Sequence, residues 1–383
     1  MKILIASALY YPHIKGGGEI STQILAEGLV KQGHSVSVVT IAQENGEEIL
    51  NGVKIYRLST SNIYWSFNTN NQSKIKKLLW HTVDAYNIFI KSKFEKILLQ
   101  EQPDIVHSST IEDISSYIWK VSKLHGFKVV HTLRSYTSLC PNAIMFKNNE
   151  NCDGQCISCK LITYPKKILS SYVDGIVGIS KFVLNTHIKS GYFKNARKTI
   201  IFNPINDIDK NLQISKKKNN ELLFGFVGRL EEAKGIEFLL ENFPSDKILY
   251  IFGNGKESYV NYLKKKFDNK NIVFKGYAKT KDIYTTIDIL IVPSLWNEPF
   301  GRIVPEANSY EIPVLVSNRG GLPELVINGK NGYVFNPNNT NDFNEKLNLI
   351  QELYSSENMI FDSKTFKENY IVQQYVEFYK DVI

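Results

Sequence analysis

The apolar residues of the chain fall in short continuous runs, each closed by a polar or glycine-bearing turn. Ile3–Ala6, Ser35–Thr40, Ile105–His107, Val129–His131, Asp174–Ile179 and Ile200–Pro204 read as strands of a first half. Leu222–Val227, Lys247–Gly255, Ile272–Gly276 and Ile289–Val292 read as strands of a second. Runs without strict alternation fit parallel strands covered on both faces. Segments with helical spacing lie between them: 21–32, ended by Gly33, a helix from Ile236, another over 301–310 and a tail over 364–383. The stretch 73–100 predicts one long helix, with Ile75, Leu78, Leu79, Val83 and Phe94 on a core-facing side and Lys74, Lys76, Lys77, Lys91, Lys93 and Lys96 along much of the rest. Strand, turn and helix repeated in this way predict an α/β fold with two Rossmann-like domains. The polar, lysine-bearing segment 206–220 separates them, giving domains at 1–205 and 206–363 and a terminal helix at 364–383.

The chemistry gathers where strands end. Ile289–Val292, closed by Pro293, opens into Ser294-Leu295-Trp296-Asn297-Glu298-Pro299-Phe300-Gly301-Arg302-Ile303-Val304-Pro305-Glu306. Pro299 keeps Glu298 out of helical geometry, and Pro305 is tolerable only near the first turn of the helix that follows. Glu298 therefore lies ahead of that helix and Glu306 inside it, with the helix-start N–H groups of Phe300, Gly301 and Arg302 between them as a natural anion site. In the second half, a strand leads into Gly228-Arg229 and then Lys234-Gly235. Arginine offers a two-pronged donor and lysine a point charge, as a diphosphate requires; the alternative is surface charge. Gly16, Gly17 and Gly18 follow the first strand and allow close backbone approach or simply a tight turn. His107 and His131 end two strands at the edge where open α/β sheets hold ligands, although each also suits a structural cap.

At 383 residues, two domains are the default. The first apolar run is cut short by Tyr10-Tyr11-Pro12-His13, which argues against a signal peptide, and no run is long enough to span a membrane; a cytoplasmic protein is expected. The net charge of +8 suits phosphorylated ligands or an anionic membrane surface. No nucleic-acid module is visible. All the cysteines, Cys140, Cys152, Cys156 and Cys159, fall within one short polar segment, at a spacing close to that of a structural zinc or iron site. Packed thiols are the alternative.

The string ending at Glu306, continued by Ile312-Pro313-Val314-Leu315-Val316-Ser317 and Gly320-Gly321-Leu322-Pro323-Glu324, resembles the retaining GT-B glycosyltransferases marked by Glu, seven residues, Glu. That family includes bacterial lipopolysaccharide and phosphatidylinositol mannosyltransferases, and the resemblance runs through nearly the whole chain. It implies two domains facing a central cleft, with the tail crossing back to the first. Donor contacts are expected from Gly17, Gly18, Arg229, Lys234, Gly253, Glu298, Phe300, Gly301, Ile303 and Glu306, with Glu306 on the ribose and Glu298 near the reacting sugar carbon. Acceptor contacts are expected from Glu19, His107 and Asn203. Arg134 stands where relatives have the histidine of a Thr-x-His sequence, so Arg134 and His131 join Glu298 as candidate catalytic groups. Some relatives share a cysteine-rich insertion after Leu-Cys-Pro, here Leu139-Cys140-Pro141. Asp207-Ile208-Asp209 imitates the metal-binding motif of another glycosyltransferase fold but reads as a solvated linker.

The implied reaction moves a sugar from a nucleotide-diphosphate sugar, UDP by the family's habit, to a hydroxyl of a glycan or lipid-linked acceptor in cell-surface polysaccharide synthesis. Cationic side chains stabilise the departing diphosphate, so no catalytic metal is required. The rivals are a nucleotide-sugar 2-epimerase, which needs no acceptor, and a non-catalytic nucleotide-sugar binding partner, suggested by Arg134. A lipid-linked acceptor would bring the enzyme to the inner face of the membrane, docked by the lysine-lined 73–100 helix.

Overall fold

The computed structural model describes residues 1–67, 72–206, 221–356, 358–362 and 364–383; Asp207-Ile208-Asp209 lies outside them. The chain divides into two compact units, one of Met1–Met145, Cys152–Asn206 and Thr365–Ile383, the other of Phe146–Asn151 and Asp207–Lys364. A segment from the middle of the first half thus belongs to the second unit.

In chain order the strands are β1 (Lys2–Ser7), β2 (Ser35–Ala42), β3 (Gly46–Leu50), β4 (Val53–Ser59), β5 (Ile105–Thr110), β6 (Lys128–Leu133), β7 (Phe146–Lys147), β8 (Glu150–Asn151), β9 (Gly175–Gly178) and β10 (Arg197–Ile200). They continue with β11 (Leu223–Val227), β12 (Ile248–Phe252), β13 (Ile272–Gly276), β14 (Ile289–Val292), β15 (Val314–Ser317) and β16 (Gly332–Phe335). The first unit's sheet runs β10-β9-β6-β5-β1-β2-β4-β3, parallel except where β3 pairs antiparallel with β4. The second unit's sheet runs β13-β12-β11-β14-β15-β16 and is parallel throughout. Both are Rossmann-like.

The first unit's core is built from both ends of the chain. Helix Gly17–Lys31 lays Leu25 and Leu29 on Ile3, Ile5, Val36 and Val38, and the tail helix Glu368–Val382 adds Ile371, Val372, Tyr375 and Tyr379. The two helices meet so closely that a methyl on Gly28 would lie 2.6 Å from Val372 Cγ2. Each fully buried aliphatic side chain of this kind is worth about 1.5–3 kcal/mol.

The long helix expected over 73–100 is broken. Helix Lys74–Ala85 ends at Tyr86, a single tight turn occupies Ile88–Ile90, and a second helix spans Lys91–Glu101. Asn87 causes the break: buried, it donates its amide to Ser61 O and accepts from the Phe89 N–H, a local bond that competes with helix continuation. The rotation that follows leaves Ile75, Leu78 and Leu79 at the surface, not in the core, while Trp80 is buried and donates to Tyr64 O at 2.9 Å. Helix Ile157–Leu169 packs alongside, tied to Lys74–Ala85 by the buried Lys166–Asp84 ion pair at 2.9 Å. No helix among the described residues is long and apolar enough to cross a membrane.

Candidate functional site

In the second unit, β14 ends at Val292 and the chain enters the loop that carries Glu298. Glu298 is 7% exposed, and its Oε1 accepts from Lys234 Nζ at 2.5 Å and from Ser294 Oγ at 2.8 Å. Lys234 Nζ also stands 5.1 Å from the centre of the Trp296 ring, a second favourable site for a cation. The turn that delivers Lys234 requires glycine: Gly235 has φ +69, and a Cβ there would lie 1.9 Å from Pro293 O. The backbone of Ala233 then accepts from Leu295 N and Trp296 N, holding the lysine's turn against the glutamate's loop.

Glu306 sits in the short helix Ile303–Ser309, its Oε1 accepting from Arg302 Nε at 2.6 Å. Tyr284, its hydroxyl raised well above the usual phenol range by burial and by Glu306, donates to Ile303 O at 3.1 Å. At the ends of β11 and β12 the backbones touch: Gly253, with φ +133, would place a Cβ 1.8 Å from Gly228 O. Gly301, with φ +94, is similarly closed in by Leu322. Ile303 is half-buried beside Gly301, whereas Phe300 is 2% exposed, so its ring belongs to the core. Arg229 stands apart, its side chain 71% exposed and paired with Glu231 at 3.3 Å.

The first unit gathers a different set. Gly17 opens helix Gly17–Lys31, and a Cβ on Gly18 would make ordinary contact with Arg134 at 3.6 Å. Arg134 donates through Nε to Ser109 Oγ at 2.6 Å and through its terminal nitrogen to Asn203 Oδ1. Thr22 links Ser109 back to Gly18 O, so Gly18, Arg134 and Asn203 share one network. Glu19 accepts from Gly16 N at 2.8 Å, capping its own helix, and burial raises its carboxyl above the usual range.

Both histidines are buried. His107 is fully buried, its Nε2 bonded to Thr132 Oγ1 at 2.8 Å and its Nδ1 to the tail's Tyr379 hydroxyl at 2.7 Å. His131 is held by Ser108, stacked on Phe193 and pushed down to about 3 by burial. Each is a neutral core group that fastens sheet to helix. Three of the cysteines expected to hold zinc or iron, Cys140, Cys156 and Cys159, are neighbours. Burial and the neighbouring Cys156 and Cys140 thiols raise the Cys159 thiol, but among the described residues no three His, Cys, Asp or Glu groups are arranged to hold a metal. No disulfide joins Cys140, Cys152, Cys156 and Cys159.

Three participants went unread in the sequence. Ser294 and Tyr284 hold the two glutamates; Ser294 lies inside the glutamate-bearing string, and nothing local marks Tyr284. Glu112, just past β5, has a buried Oε2 without a hydrogen-bond partner, and burial raises its carboxyl.

Two Rossmann-like sheets, one with a lysine–glutamate pair at a strand end, set charged groups at the edge where open α/β sheets hold ligands. The family model described as Glycosyl transferases group 1 matches residues 207–364, and that of Glycosyltransferase Family 4 matches 15–207. A protein of the cps region of Klebsiella pneumoniae is 34% identical over 99% of this chain and all of its own length. A glycosyltransferase of Methanocaldococcus jannaschii is 28% identical over 88% of this chain and 86% of its own. Among solved structures, Anabaena HepE in complex with UDP superposes with a TM-score of 0.70 at 18% identity, covering all of both chains. Sucrose-phosphate synthase from Thermosynechococcus elongatus gives 0.73 at 16% identity, covering 100% and 99%. The chain is a glycosyltransferase of the GT-B fold. It belongs to glycosyltransferase family 4.

Proposed function

We propose that this glycosyltransferase moves a sugar, with retention, from a UDP-sugar to a hydroxyl of a glycan or lipid-linked acceptor in the building of a surface polysaccharide. The observation that carries the reading is the Lys234–Glu298 pair, its carboxylate buried and fixed by Ser294 at the end of β14. The bond between the anomeric carbon and the diphosphate breaks, and its electron pair leaves with the diphosphate. Lys234 neutralises that charge as it forms. The acceptor oxygen bonds to the anomeric carbon, and its proton departs with the diphosphate. Glu298 contacts the donor sugar, Glu306 the ribose, and Arg134, Asn203 and Glu19 the acceptor. UDP is supported by the UDP complex of HepE and the polysaccharide context by the cps-region relative.

A second, compatible reading concerns where the acceptor lies. Helix Lys74–Ala85 leaves Ile75, Leu78 and Leu79 exposed, and helix Ile157–Leu169 leaves Ile157, Leu161, Tyr164 and Ile168 exposed, at four-, three- and four-residue steps along one face. Exposed lysines 74, 76, 77 and 160 flank them. Apolar stripes with basic flanks suit the surface of an anionic bilayer, and with it a lipid-linked acceptor.

A panel of nucleotide-sugars in thermal-shift and turnover assays tests the donor. One UDP-sugar should stabilise the protein by about 2.7 kcal/mol at a hundred times its dissociation constant. Lys234→Ala should weaken UDP by about tenfold or more, the worth of a charge-assisted bond. Equal UDP affinity in wild type and variant would remove Lys234 from the site.

A further inference from the structure

We infer that Asn151, on the hairpin that interrupts the cysteine-bearing segment, is a positioning residue that fixes the loop presenting Glu298. Its side-chain amide lies along that loop as a second strand would. Nδ2 donates to Leu295 O at 2.7 Å, and Oδ1 accepts from Asn297 N at 2.7 Å. One donor and one acceptor on a planar amide reproduce what a neighbouring peptide group offers in a ladder. The loop has no regular secondary structure, so its backbone groups need partners from elsewhere. On its other flanks Leu295 N and Trp296 N donate to Ala233 O, Gly320 N donates to Asn297 Oδ1, and Gly321 N donates to Glu298 O at 2.7 Å. Asn151 therefore clasps the loop on either side of Trp296, immediately ahead of Glu298.

The hairpin is built to hold that amide still. Its turn residues Asn148 and Asn149 both have positive φ, 54 and 60, the backbone that a two-residue hairpin turn demands and asparagine tolerates. Phe146 pairs with Asn151 and Lys147 with Glu150, and Cys152 N donates to Met145 O at 2.9 Å across the hairpin base. Nothing in the glutamate-bearing string calls for such a partner, which stands more than a hundred residues upstream and arrives only with the insertion.

The inference rests on the reading that Glu298 contacts the donor sugar, and the test separates the two. Asn151→Ala, Asn151→Asp and Glu298→Gln are compared with wild type in UDP and UDP-glucose affinity, and in hydrogen exchange at the Asn297 amide. Asn151→Ala should speed that exchange about fivefold, the worth of one hydrogen bond. It should lower the preference for UDP-glucose over UDP by a similar factor while leaving UDP affinity alone. Asn151→Asp keeps the acceptor and should keep the amide protected while losing the bond to Leu295 O, so its sugar preference should fall between the two. An unaltered melting temperature in Asn151→Ala, with these changes present, separates positioning from general stability. Unchanged exchange and unchanged sugar preference in Asn151→Ala, with the preference lost in Glu298→Gln, would overturn the role of Asn151. Should Glu298→Gln leave the preference intact, the donor-site reading fails, and the exchange rates alone decide whether Asn151 fixes the loop.

Discussion

Asp113 shows how far a single residue's surroundings can move its chemistry. It follows β5 with φ +61, is fully buried, and accepts from Ser66 Oγ. Burial pushes its carboxyl up to about 7 from an ordinary value near 4, with the Asp84 and Glu112 carboxyls adding to the rise. Below the ordinary value it is protonated folded or unfolded. Between the two, the unfolded chain releases a proton that the folded chain keeps, so stability falls as pH rises through that window and levels off above it. An asparagine side chain in its place is neutral throughout, and asparagine accepts this backbone. Asp113→Asn should therefore gain stability relative to wild type from pH 4 to pH 7, on the order of a few kcal/mol. Urea unfolding at both ends of the range checks it, and parallel curves would show that the carboxyl does not titrate there. At this scale the sequence is readable where local geometry decides. Glu298 ahead of its helix and Glu306 inside it follow from two prolines. His107 and His131 keep two readings in the sequence because a strand's end and a strand's interior look alike until Tyr379 and Phe193 arrive from distant segments.

At the level of elements, strands β1, β5, β6 and β14 can be read from short apolar runs, since a strand buried on both faces leaves little choice of period. The stretch 73–100 defeats the same reasoning. Its spacing is helical, but Asn87 interrupts it through partners at Ser61 and Ser115, which no window on the sequence contains. The consequence reaches function, because Ile75, Leu78 and Leu79, assigned to the core, are exposed. On the proposed membrane reading, docking would depend on insertion as well as charge. Co-sedimentation with anionic vesicles should be weakened by Leu78→Ser with Leu161→Ser even at high salt, whereas Lys74, Lys76 and Lys77 changed to glutamate should abolish only the salt-sensitive part. Binding indifferent to both sets, or none at all, would point to an acceptor free in solution. The hairpin at Phe146–Asn151 is a second element that the sequence hides, for its only local mark is a pair of asparagines.

Taken whole, the molecule is threaded in an order that differs from its architecture. The first unit needs Thr365–Ile383, and the second needs Phe146–Asn151, so neither is a continuous piece of chain. The tail's Tyr375 and Tyr379 are 1% and 0% exposed, and Tyr379 carries the bond to His107. During synthesis, which proceeds from the amino end, the first unit's sheet therefore emerges long before the helix that closes its core. Until that helix arrives, His107 Nδ1 lacks its partner and the face that Ile371, Val372, Tyr375 and Tyr379 cover is open. Ribosome-bound chains halted at residue 364 should remain open to protease across the first unit, and addition of the last turns should protect residues made several hundred codons earlier. The first unit, though translated first, is finished last.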